Sequence, residues 1–135
     1  MITAKRLFSV VVISVFLTVA SAQDCSRTGT VLEDDTCDKL SARESVSTFQ
    51  LADANPSINA ACDNIFPDEI LCLGLEGKDC TTVTVVQSGD TCSAIASAAG
   101  ISVATLLANN PNVDGGCSNI YPDEVLCTDS QIFDY

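Results

Sequence analysis

Eight cysteines stand at positions 25, 37, 62 and 72 and again at 80, 92, 117 and 127, so the intervals 12, 25 and 10 occur twice at an offset of 55 residues. Their neighbours keep the same offset. Asp35-Thr36-Cys37 answers to Asp90-Thr91-Cys92, Asn55-Pro56 to Asn110-Pro111, and Asn64-Ile65-Phe66-Pro67-Asp68-Glu69 to Asn119-Ile120-Tyr121-Pro122-Asp123-Glu124. The chain is a tandem duplication. A copy of about 48 residues is too small to depend on a hydrophobic core, so cross-links must compensate. Four cysteines per copy (Cys25, Cys37, Cys62 and Cys72; Cys80, Cys92, Cys117 and Cys127) predict two disulfides in each, each contributing roughly 2–4 kcal/mol. Three pairings per copy are possible, and the sequence does not choose between them.

The ends of the chain set its compartment. Lys5 and Arg6 precede an apolar run from Leu7 to Ala20, and Ala20-Ser21-Ala22 forms a small-x-small cleavage site. Residues 1–22 therefore read as a secretory signal peptide, since a run of 14 residues is short of the roughly 20 a spanning helix needs. Secretion agrees with the cysteine count, because disulfides persist in oxidising compartments. The mature chain keeps 4 basic and 18 acidic residues, a net charge of −14, which argues against nucleic acid and anionic membrane as partners. The one Asn-x-Ser candidate, Asn55-Pro56-Ser57, has proline in the middle, so no N-glycan is expected.

The absence of histidine excludes Ser-His-Asp and Cys-His catalytic units and histidine-ligated metals. No Cys-x(2–4)-Cys pair exists for a zinc site either, and no cofactor is implied. Paired acids such as Asp68/Glu69 and Asp123/Glu124 do not make a glycosidase, because adjacent strand residues point to opposite faces. The chain reads as a binder rather than an enzyme.

Each copy has the order strand, helix, helix, strand. In the second, Thr82–Gln87 is a β-branched strand and Ser88-Gly89 turns it. Asp90 or Thr91 caps a helix that ends at Gly100, Ser102 caps another, and Asn109-Asn110-Pro111 stops it. Glu124–Cys127 closes the copy. In the first, the same path runs through Thr30–Glu33, Thr36–Glu44, Ser47–Ala54 and Glu69–Leu73, with Ser45 standing where the helix-ending glycine belongs. The expected fold is α+β: two small βααβ modules, each a two-stranded antiparallel sheet packed on two helices. The boundaries are 25–73 and 80–127, joined by a linker 74–79 given freedom by Gly74 and Gly77, with an acidic tail 128–135 that exposes Ile132, Phe133 and Tyr135.

Val86-Gln87-Ser88-Gly89-Asp90-Thr91-Cys92, Ile95-Ala96, Leu106-Leu107-Ala108-Asn109-Asn110-Pro111 and Asn119-Ile120-Tyr121-Pro122 followed by Val125-Leu126 resemble the LysM module, a small carbohydrate-binding domain. Cysteine after Asp-Thr and in the last strand is similar to the secreted fungal form, and two such modules without a catalytic domain look like a fungal LysM effector. The resemblance implies a shallow groove for N-acetylglucosamine units of chitin, with Gly89, Asp90, Thr91 and Ser93 on one side and Asn110, Pro111, Asn112, Val113, Ile120 and Tyr121 on the other. In the first copy the corresponding, weaker candidates are Asp35, Thr36, Asn55, Pro56, Ile65 and Phe66.

Two departures matter. Both copies have Pro-Asp where the family has Pro-Gly, and aspartate tolerates the left-handed turn required there. In the first copy Leu32-Glu33-Asp34-Asp35-Thr36 replaces Gln87-Ser88-Gly89-Asp90-Thr91, which loses the glycine and crowds acids onto one groove wall. That copy is expected to be a structural or dimerising partner; two modules on a short linker suit avidity, and a ligand-mediated dimer is among the expected partners. The leading expectation is a chitin-binding secreted effector that sequesters chitin fragments or shields a fungal wall. The alternative is an interaction protein that uses the modules as scaffold for a protein partner.

Overall fold

The computed structural model describes residues 24–135, and the signal peptide expected over 1–22 lies outside them. Its elements are β1 (Cys25–Thr30), α1 (Cys37–Glu44), α2 (Thr48–Ala54) and β2 (Ile70–Leu75), then β3 (Val83–Val85), α3 (Cys92–Ala99), α4 (Val103–Asn109) and β4 (Val125–Cys127). β1 pairs antiparallel with β2, and β3 with β4, as two separate sheets. The result is the expected α+β pair of βααβ modules. Among the described residues no single helix is long and apolar enough to cross a membrane.

Helix starts follow the capping residues. Thr36, Ser47, Thr91 and Ser102 each sit in extended backbone and accept an amide three residues on, which satisfies one of the orphan donors of a first turn. The Ser45 position is resolved by geometry: it takes the left-handed conformation (φ 53°) of its counterpart Gly100 (φ 70°), and its amide closes on Ser41 O. Arg27 supports this strained end, donating from Nη1 to Glu44 O at 2.6 Å and from Nη2 to Ser45 O at 2.9 Å. Asp34, Asp68 and Asp123 likewise carry positive φ, so aspartate does serve at these turns.

The pairing of cysteines is nested and identical in both modules: Cys25–Cys72 encloses Cys37–Cys62, and Cys80–Cys127 encloses Cys92–Cys117. Within each module a small core lies between sheet and helices, built on Val31, Leu40, Val46, Leu51, Leu71 and Leu73 in one and on Val86, Ile95, Leu106, Val113 and Leu126 in the other. An asparagine, buried in the second module and half-buried in the first, stitches each second helix to the closing strand. Asn110 Nδ2 donates to Leu106 O and Cys127 O while its Oδ1 accepts from Cys127 N, and Asn55 makes the same three bonds to Leu51 O, Cys72 O and Cys72 N.

Several expected boundaries shift. The first strand runs over Cys25–Thr30, because Leu32 already opens the turn in which Asp35 accepts its amide at 2.8 Å. β2 continues to Leu75, so Gly74 is a strand residue and not a hinge. It is glycine for want of space: a Cβ there would stand 2.7 Å from Gln50 Nε2 and strike the Asp79 carboxylate. Asp79 binds Arg27 Nε at 2.8 Å and Ser26 Oγ at 2.8 Å, which folds the connection against the first module.

The tail also departs from the expectation of exposure. Buried Asn109 donates to Asp129 O and Gln131 O and accepts Phe133 N, so the chain turns back and lays Phe133 on the Cys80–Cys127 bridge. Tyr135 then reaches the first module, meeting Phe49 edge to face at 5.1 Å and donating to Gln50 Oε1 at 2.9 Å. Of the three side chains only Ile132 is well exposed. Gln50, buried itself, also accepts Cys80 N and donates to Leu73 O and Asp79 Oδ1. One amide thus joins first module, connection, second module and tail.

Candidate functional site

In the second module a cleft of about 290 Å³ opens between the start of α3 and the loop after α4. One wall is Asp90, Thr91, Cys92 and Ser93; the other is Gly115, Gly116 and Cys117, with Val103 at the end. Gly89 turns the chain into the first wall at φ 87°. Asp90 accepts Gln87 N at 2.8 Å and Thr91 accepts Ala94 N at 3.2 Å, so both hold the turn and the helix start. The amides of Cys92 and Ser93, first in the helix, have no carbonyl one turn back to serve, and both residues line the cleft. The Cys92–Cys117 disulfide ties the walls together.

The opposite loop is held by its own side chains. Asp114 accepts Ser118 N and Oγ, bonds that pull its carboxyl below the usual range. Asn119 accepts Asp114 N at 2.9 Å and donates to Asn112 O at 2.8 Å. A Cβ at Gly115 would meet nothing within 4 Å, so this stretch leaves its backbone bare to whatever enters.

The structure therefore brings together Asp90, Thr91 and Ser93 of the expected residues, beside Gly89. The other expected wall goes elsewhere. Asn110 is spent on the helix–strand stitch, Val113 lies in the core, and Ile120 packs against that core. Pro111 and Asn112 are exposed, and Asn112 donates to Glu124 Oε1 at 2.7 Å. Burial pushes the Glu124 carboxyl up. Tyr121 points at the first module: its hydroxyl donates to Asp38 Oδ1 at 3.3 Å, and burial together with the Asp38 charge pushes it up to about 12. Sequence reasoning missed Val103, Gly115 and Gly116. The doubled glycine beside a cysteine, where the first copy has Ala60-Ala61, was the available signal.

In the first module the same positions are otherwise engaged. Asp34 (φ 63°) stands for Gly89, and Asp35 is bonded to Leu32 N and to Arg43 Nη1, both at 2.8 Å. Burial opposes the charge on Asp35, but those partners outweigh it and hold the carboxyl low. Thr36 caps α1, Asn55 is the stitch, Pro56 is exposed and Ile65 packs on the core. Phe66 is 64% exposed. Asp38 and Thr48, the counterparts of Ser93 and Val103, receive the second module: Thr48 Oγ1 accepts Val125 N at 3.0 Å and donates to Asp38 Oδ1 at 2.9 Å. A second groove of about 510 Å³ remains along this seam, between Thr36, Asp38, Lys39 and Ala42 on one side and Val85 and Tyr121–Asp123 on the other.

Two repeats of one disulfide-stapled βααβ unit, the second with an open cleft at the start of its first helix, define the class. The LysM domain family matches residues 30–74 and 84–129, and the chain belongs to that family. It is similar to the secreted LysM effector LysM1 of Trichophyton rubrum, 29% identical over 78% of this chain and 51% of that protein. It is also similar to the secreted LysM effector Blys8 of Beauveria bassiana (26% identity; 77% of this chain, 34% of that one). The non-secreted LysM effector LCP1 of Gibberella moniliformis is 37% identical over 82% of this chain and 15% of its own length. The chain thus spans about half the length of these relatives or less. Among solved structures it matches the Bacillus megaterium QM B1551 spore cortex-lytic enzyme SleL at a TM-score of 0.39, with 16% identity over 74% of this chain and 21% of that one.

Proposed function

We propose that this chain is a secreted, non-catalytic binder of chitin oligosaccharides that uses the cleft of its second module. Membership of the LysM family, the names of its secreted relatives and four disulfides of the extracellular kind support the reading. The observation that carries it is the open cleft between Asp90–Ser93 and Gly115–Gly116. Helix-start amides and hydroxyls supply donors for acetamide carbonyls, loop carbonyls and the Asp90 carboxylate supply acceptors for amide and hydroxyl protons, and Val103 offers apolar contact to a methyl group or sugar face. Chitin is uncharged, so the acidic surface neither draws it in nor repels it.

The first module serves as platform, because Asp38 and Thr48 are committed to Tyr121 and Val125. In biological terms the reading is capture of chitin fragments, or cover for a fungal wall against chitinases. Retention of the oxidised protein on insoluble chitin, with release by soluble N-acetylglucosamine oligomers, is the expected result; a protein that passes through unretained overturns the proposal.

A further inference from the structure

Within the chain, the closing turn of the second module rests on the helices of the first. Tyr121 Oη donates to Asp38 on α1, Val125 N donates to Thr48 on α2, and Val125 is 1% exposed. The first module makes the same turn 55 residues earlier. Asp68 N bonds Val31 O at 2.9 Å as Asp123 N bonds Val86 O at 2.9 Å, and both aspartates are left-handed. Among the described residues nothing covers this earlier turn: Phe66 is 64%, Ile70 69% and Leu32 52% exposed. Of the receiving positions on the second module, Ser93 is exposed, and Val103 is half-buried against the core while still lining the cleft. One pair of faces is used inside the chain, and its repeat-related pair is unused among the described residues.

We infer that the unused pair meets between molecules, the Phe66–Ile70 turn of one copy seating against Ser93 and Val103 of the next. Such a contact is heterologous: each copy offers one turn and one receiving face, and its repetition from copy to copy builds rows rather than an isologous pair. The residues differ in concert across the two contacts. Tyr121 with its hydroxyl faces the acceptor Asp38, whereas Phe66 faces Ser93; the polar Thr48 meets a backbone amide, whereas Val103 offers apolar surface to Ile70. Lys39, beside the internal seam, has Ala94 as counterpart, so Asp68 and Glu69 approach the Asp90 and Asp114 rim with no cation between them. Association is therefore weak at low ionic strength and strengthens as salt screens the acids. Ser93 and Val103 also line the cleft assigned above to glycan, so a bound oligomer and a docked turn exclude one another.

Sedimentation equilibrium of the mature, oxidised protein without sugar tests this. Average mass is expected to rise with concentration and with salt, passing two chains without a plateau. Phe66→Ser/Ile70→Thr removes only exposed side chains and keeps the cleft, while Ser93→Glu alters an exposed position in a first helical turn and keeps the Phe66 turn. Each variant alone is expected to stay monomeric, and their equimolar mixture to form dimers and nothing larger. A parent that is monomeric throughout, a parent that stops at dimers, variants that associate like the parent, or a mixture that stays monomeric each overturns the inference. None of these readouts depends on chitin binding, so failure here is distinguishable from failure of the proposed function.

Discussion

The two modules share fold, caps, stitching asparagine and disulfide pattern, yet their helix-start clefts have different fates. In the second module the cleft is lined by the small Ser93, Gly115 and Gly116 and stays open. In the first, Asp38 and Thr48 are bonded to the partner module, and Asp35 is bonded to Arg43. The basic residues tell the same story: Arg27 and Arg43 brace the strained turns of the first module, and the second has no base between Cys80 and Cys127. Duplication has left one copy's helix start bonded into the contact between modules and the other's open, and the difference lies in side chains at equivalent positions rather than in the fold.

The strongest way to break the comparison is to remove the enclosing bridge of each module in turn. Both bridges have a sequence separation of 47, and on chain entropy each is worth about 4 kcal/mol. Cys80→Ala/Cys127→Ala is expected to cost more than Cys25→Ala/Cys72→Ala in denaturant titrations, because the buried Cys80–Cys127 pair also carries Phe133. Equal losses would show that the tail contributes nothing there. Next comes Gln50→Ala, expected to cost about 3 kcal/mol by leaving Cys80 N and Leu73 O without their partner, against under about 1 kcal/mol for Thr105→Ala at its half-buried counterpart, whose hydroxyl meets only Ser102.

Smaller effects sharpen the picture. Ser41→Ala, which imports Ala96 from the second module, removes a buried hydroxyl with no partner among the described residues and is expected to raise stability by about 1 kcal/mol. Acid separates the copies too. Burial alone would raise the Asp79 carboxyl, but Arg27, Ser26 and Gln50 hold it below the ordinary 3.8. Its contribution is therefore complete above pH 3.8 and is lost as pH falls through the lower folded value. Thermal midpoints measured from neutral pH downward should show a shallower acid decline in Asp79→Asn than in the parent; parallel curves would show that Asp79 does not hold the connection against the first module.

Much of the fold was legible because the repeat states it twice. A cap, a stop or a cysteine seen at both offsets has a local cause, and caps and turns act locally. The nested disulfide pairing was not legible, since three connectivities fit one spacing. The tail was misread because Phe133 and Tyr135 find their partners in Asn109, Phe49 and Gln50, contacts with no signature in the tail itself. The same limit applied to the site. Asp90, Thr91 and Ser93 were legible as a helix start, while the long-range partners that put Asn110 in a stitch and Tyr121 in the groove between modules have no local signature.

Calorimetric titration with a short N-acetylglucosamine oligomer tests the division of labour most directly. Gly115→Val/Gly116→Val fills the open cleft without backbone strain, since neither glycine has positive φ, and Ala60→Val/Ala61→Val makes the matching change in the first module. One oligomer bound per parent chain, no heat from the glycine variant and parent-like binding by the alanine variant is the predicted result. Two oligomers per chain, or loss of binding in the alanine variant alone, would contradict it.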